Sequence, residues 1–111
     1  MNIDEKEALA FTGDIGVVAS AVRLKAARLA AGFKVQKQFA EACGESATNY
    51  NNMEKGNVLP NRTVMQFLYR GYRIDFNFLV NGLFSQLPQD VQERLFEHLA
   101  TVKSEWDRKP S

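Results

Sequence analysis

The sequence predicts an all-α protein, and three observations predict it. Apolar residues recur at helical spacing, most plainly in the stripe Val91, Leu95, Leu99, Val102 and Trp106. Residues that start and stop helices punctuate these runs, with Ser46, Asp75 and Pro88 at starts and Gly32, Gly44, Gly56 and Gly82 at stops. Every segment that periodicity defines reads as a helix. The 111 residues are the size of one domain.

Residues 1–13 read as a tail or arm closed by Thr12-Gly13. A first helix is predicted from near Asp14, an acceptable N-cap, to Gly32. Its apolar side is assigned to Val18, Val22 or Ala21, Leu24 and Leu29. A second covers Val35 to Cys43 with Phe39, Ala40 and Cys43 facing inward. Gly44 lets the chain turn with positive φ, and Ser46 caps a third helix to Lys55. Pro60 marks a loop. A fourth helix covers Arg62 to Tyr72 and buries Val64, Phe67 and Leu68. Asp75 caps a short fifth, Phe76 to Gly82, which is expected to bury Phe76 and Leu79. Pro88 opens the last helix, which ends near Trp106. Residues 14–82 thus form the main domain, and 83–111 a linker and C-terminal helix.

The net charge of +1 averages over opposed segments. Residues 1–16 carry −3, residues 17–74 carry +6 and residues 75–111 carry −2. The basic middle suits a polyanion partner, or is an ordinary solvated surface. One cysteine, Cys43, allows no intrachain disulfide and fits a reducing compartment. No apolar run approaches the roughly 20 residues of a membrane span, and the acidic N-terminus is unlike a signal peptide. A cytoplasmic location without membrane contact is expected. There is no Gly-rich phosphate loop, no metal-ligand spacing and no nucleophile beside a base, so neither enzyme activity nor a cofactor or metal is expected. His98 stands alone on the last helix as a surface residue.

The segment Gln36 to Gly56 is the most informative. Phe39, Ala40, Tyr50 and Met53 are spaced to pack its two helices together. Ala47, Thr48, Asn51, Asn52 and Lys55 are left on one outward face. Asn can pair its amide with adenine N6 and N7 in a major groove, and Thr offers a hydroxyl and a methyl. Ala47, Thr48, Asn51 and Asn52 are therefore the candidate base contacts. Three asparagines among residues 49–52 carry a helix-propensity cost that function would explain. Lys34, Lys37, Lys55 and Arg62 are candidate phosphate contacts, which fix register without reading sequence. Ser46 is a cap or a phosphate contact. Arg23 and Arg28 are open to phosphate binding, or one of them to pairing with Glu54.

From Arg23 to Gly82 the chain resembles the Cro/C1-type, XRE-like helix-turn-helix regulators. The matching residues are Arg23-Leu24-Lys25, Arg28, Gln36, Phe39-Ala40, Gly44, Ser46, Tyr50, Met53-Glu54-Lys55-Gly56, Pro60 and 75–82, DFNFLVNG. The resemblance implies a compact, lambda repressor-like bundle of five helices, with an additional C-terminal helix here. It implies operator binding as a dimer, usually for repression in a bacterium or phage, and a Gln36 that binds phosphate and braces the third helix. This chain departs from the pattern at an extra residue between Gly32 and Gln36, at Arg73 where Gly is common, and in lacking a recognition-helix arginine. At Arg73 either the helix ends early or the backbone is strained.

The stripe Val91, Leu95, Leu99, Val102 and Trp106 needs a buried home. It packs on its own domain or pairs with a second copy, and homodimerisation through residues 88–106 is the expectation. Two recognition helices would then sit about 34 Å apart on a palindromic operator. Ile3, Leu9 and Phe11 are an alternative contact. A competing reading is a protein-interaction module, such as an antitoxin-like partner, on the same fold.

Overall fold

The computed structural model describes residues 1–108. Seven helices follow one another: α1 Ile3–Ala10, α2 Val17–Ala30, α3 Gln36–Cys43, α4 Ala47–Glu54, α5 Arg62–Tyr72, α6 Phe76–Asn81 and α7 Gln89–Arg108. No strand occurs among the described residues. The all-α expectation holds, and most boundaries fall within a residue or two of those expected.

α2 is the central element and is buried on most of its circumference. Ala19, Ala21, Val22, Leu24, Ala26 and Ala27 lie in the core. Small residues let neighbouring helices approach it closely, and α4, α6 and α7 all pack on it. The expected apolar side is partly corrected, because Val18 is exposed and Leu29 only half-buried. The start moves as well. Asp14 does not cap the helix; its Oδ1 accepts from the Gly16 amide at 2.8 Å, and Gly16 is the N-cap.

Residues 3–10 form a helix where a tail was expected. Asn2 caps α1 by accepting from the Glu5 amide at 2.8 Å, and Glu5 reaches back to the Asn2 amide. α1 docks on α7, buries Ala10, and packs Leu9 and Phe11 against the core, while Ile3 stays exposed.

The α7 stripe is the main correction. Val91, Leu95, Leu99 and Val102 are buried within this chain, and Trp106 is packed against the same core. Burial of such side chains stabilises by roughly 1.5–3 kcal/mol each. Pairing a second copy through Val91, Leu95, Leu99, Val102 and Trp106 would forfeit that burial, so within this chain they serve as packing residues. One core cluster runs from Ala10 to Val102.

An aromatic group sets α3 on α5. Phe39 lies 5.2 Å from Phe33, 5.1 Å from Tyr50 and 5.5 Å from Phe67 between ring centroids. In α6 the deeply buried ring is Phe78, with Leu79; Phe76 is only half-buried. α5 ends at Arg73 with φ +59, so the strained alternative is the one realised. No described helix is long and apolar enough to cross a membrane.

Candidate nucleic-acid interface

The turn between α3 and α4 is built by short polar side chains. Gly44 closes α3 with φ +81. Ser46 is extended and its Oγ accepts from the Asn49 amide at 3.1 Å, capping α4. Glu45 accepts from the Ser46 amide at 3.0 Å, from Asn49 Nδ2 at 3.2 Å and from Asn61 Nδ2 at 2.6 Å. Asn61 in turn caps α5 through the Val64 amide. The turn is thereby tied to both helices that follow it. The Asn61 bond, then those from Ser46 and Asn49, hold the Glu45 carboxyl below its ordinary range.

Beneath α4 lies a buried polar node. Arg28 donates to Glu54 from Nε at 2.7 Å and Nη2 at 3.2 Å. Tyr50 donates its hydroxyl to Glu54, and Gln36 Nε2 donates at 3.1 Å. Arg28 Nη1 also reaches the carbonyls of Phe33 and Lys34, fixing the chain as it enters α3. Burial pulls the Arg28 guanidinium down, but the Glu54 hydrogen bond and charge outweigh it and leave it raised. Burial, reinforced by Glu54, pushes the Tyr50 hydroxyl up. Arg28 is thus the arginine that pairs with Glu54. Arg23 is fully buried against backbone carbonyls, so neither arginine is a surface phosphate contact.

The expected base contacts divide. Ala47 and Thr48 are exposed at the first turn of α4. Thr48, Asn52 and Lys55 follow at i, i+4 and i+7, which stacks them along one row. Asn52 is half-buried, and its Oδ1 accepts from Asn57 Nδ2 at 3.1 Å. Asn51, three residues after Thr48 and four before Lys55, flanks this row. It lines a cleft of about 210 Å³ with Lys25, Gln36, Glu54, Lys55, Glu105 and Trp106. Asn51 thus lies beside the end of α7, while Asn52 bonds to Asn57.

No family model, curated protein or solved structure matches the chain.

The expected phosphate contacts flank α4. Lys34 and Lys37 lie at the entry to α3, Lys55 follows α4, and Arg62 opens α5; all four are exposed. No carboxylate among the described residues lies within 4.0 Å of them. Ser46 acts as a cap and remains exposed. Gln36 braces α4 through Glu54. The N-cap of α3 is Val35, which offers no side-chain acceptor to the first amides.

Sequence reasoning missed the roles of Glu45, Asn57 and Lys25, and the bond by which Asn61 holds Glu45. Glu45 and Asn61 flank predicted helix starts, where carboxylate and carboxamide acceptors are favoured, and that signal was legible. Lys25 and Glu105 meet across the fold, and no local signal pairs them. Cys43 is half-buried, and burial followed by the Glu45 charge pushes its thiol up to about 12, so it stays protonated and unreactive. Among the described residues no group of three His, Cys, Asp or Glu is placed to hold a metal ion.

Proposed function

We propose that this protein is a sequence-specific regulator that binds double-stranded DNA by laying α4 in the major groove. The observation that carries the reading is the Thr48–Asn52–Lys55 row along α4, flanked by exposed cations that have no carboxylate partner among the described residues. In this reading α3 and α4 are a Cro/C1-type helix-turn-helix and α2 to α6 its five-helix domain. Thr48 and Asn52 read base edges, with Ala47 against a thymine methyl. Lys34, Lys37, Lys55 and Arg62 hold phosphates and set the register. Regulation is repression, by occupying an operator.

Asn57 holds the side-chain oxygen of Asn52. A bidentate pair with adenine needs that oxygen as well, so Asn57 must let go on binding. Selection of bound duplexes from a random DNA library tests the reading. The expected outcome is an enriched motif for the wild-type chain whose best-defined positions relax in Thr48→Ala and Asn52→Ala variants that still fold. Two half-sites one turn apart would report a homodimer; a single half-site would report a monomer. No enrichment by the folded wild type at low salt would overturn the reading.

One observation favours a second reading. Exposed Ile15, Leu59 and Val80 frame an apolar pocket with Pro60, Met65 and Leu79, a surface of the kind that protein partners cover. An interaction module would use this face, and its binding would be insensitive to changes at Thr48 and Asn52.

A further inference from the structure

We propose that the cleft beside α4 seats a DNA backbone phosphate, with Lys25 as its further cationic residue, and that Glu105 occupies Lys25 in the DNA-free protein. The inference rests on the DNA-binding reading and extends it to the end of α7. Lys25 comes from α2, Gln36 from the first turn of α3, Asn51 and Lys55 from the end of α4, and Glu105 and Trp106 from α7.

The chemistry of this lining is that of a phosphate seat. Two ammonium groups and two carboxamides supply donors, and phosphate oxygens only accept. Glu54 also reaches the cleft, but its oxygens already accept from Arg28, Tyr50 and Gln36. Asn51, at the cleft side of the base-reading row, gains a role here as a donor to backbone phosphate. The position fits too, because the start of α3 and the end of α4 flank a helix lying in the groove and so meet the sugar-phosphate strand.

Glu105 is the one carboxylate at the rim with a partner it can exchange. Its Oε2 lies 3.2 Å from Lys25 Nζ, and the two side chains are 41% and 31% exposed. A pair this open to water contributes little to the fold, so exchanging one anion for another leaves the fold intact. A tethered carboxylate nonetheless competes with an incoming phosphate at high effective concentration. Trp106 holds the tether in place. A Cβ added to Gly56 would lie 3.4 Å from its ring, so the indole covers the backbone at the end of α4.

Binding of the full chain to a labelled mixed-sequence duplex, titrated with salt, tests this with Glu105→Gln, Lys25→Gln, the double variant and Asp107→Asn. Asp107 lies in the same turn but pairs with Lys103 at 2.9 Å, so it controls for the general effect of removing a negative charge. Lys25→Gln is expected to lower the log–log salt slope by about one. Glu105→Gln is expected to tighten binding by roughly two- to fivefold, the strength of an exposed ion pair. It should have no effect once Lys25 is Gln. Equal tightening by Asp107→Asn, tightening that persists without Lys25, or no change with Glu105→Gln would each overturn the proposal while DNA binding stands. Absence of salt-sensitive binding by wild type and Glu105→Gln alike would instead remove the DNA-binding reading itself, and this inference with it.

Discussion

Arg28 and Glu54 meet in a two-pronged ion pair, each side chain only 5% exposed, at the point where α2, α3 and α4 converge. The carboxylate also collects Tyr50 and Gln36, so one group fixes the angle at which α4 leaves the bundle. A buried pair is costly to break because the survivor is left charged without a partner. Glu54→Gln or Arg28→Met should each destabilise the fold by about 3–5 kcal/mol. The double change to Glu54→Leu and Arg28→Met should recover much of that loss. Urea unfolding of the single and double variants decides it; purely additive losses would mean that Glu54 and Arg28 act independently.

Among the described residues, Arg23 has no carboxylate within 4.0 Å and is the largest fully buried side chain. Its guanidinium donates to the carbonyls of Ala10, Phe11, Asp14, Leu79 and Val80, at 2.7–3.2 Å. Several of these carbonyls close α1 and α6, where no intrahelical donor is available and the helix dipole is negative. Burial pulls the guanidinium down to about 10, offset in part by Asp14, which leaves it cationic at neutral pH. Arg23→Met would orphan these acceptors and should cost at least ~3 kcal/mol. Arg23→Lys, with fewer donors and no fork, should recover only part. Thermal melts of both variants provide the check; a neutral Arg23→Met would show that water replaces the guanidinium.

Helix existence and ends were legible because capping chemistry is local. Ser46, Asn61 and Asp75 cap where the sequence put helix starts, and Gly44 and Gly82 stop α3 and α6. Destinations of apolar faces were less legible. The α7 stripe announces that it must be buried, but periodicity cannot say whether by its own chain or a copy. Val18 was misplaced because the buried side of α2 depends on where α7 lies. α1 carries no apolar stripe and is held by docking, although its Asn2–Glu5 box was readable. In the candidate site the polar row on α4 was visible, whereas the cleft that Asn51 shares with Glu105 and Trp106 depends on residues more than fifty positions away.

Arg73 closes α5 in the left-handed region, at φ +59 and ψ +26, where glycine is the favoured residue. That conformation costs a side-chain-bearing residue about 1–2 kcal/mol, while glycine's greater freedom when unfolded returns roughly 0.5–1 kcal/mol of the gain. Arg73 also pairs with Asp90 at 2.6 Å, but both side chains are more than half exposed and Arg94 remains near Asp90. Such a pair contributes little. Arg73→Gly should therefore stabilise the protein by about 0.5–1 kcal/mol, read as a higher melting temperature. A lower one would show that the link between α5 and α7 outweighs the backbone strain.

Glu45 makes the turn before α4 sensitive to acid. Asn61, the Ser46 amide and Asn49 hydrogen-bond its carboxylate and hold it below its ordinary 4.5. A carboxyl depressed on folding contributes stability that is fully present above its unfolded value. That contribution is lost as pH falls through the folded value, because the protonated group gives up acceptor capacity. Wild type and Glu45→Gln should therefore differ most at neutral pH and converge as pH falls through the depressed folded value. The carboxyl carbon of Glu45, followed by NMR across that range, should titrate below 4.5 in wild type and move to the ordinary range in Asn61→Ala. A titration unchanged by Asn61→Ala would show that the bond from α5 does not set the charge state of this turn. The turn would then be held by the Ser46 and Asn49 bonds within the α3–α4 segment.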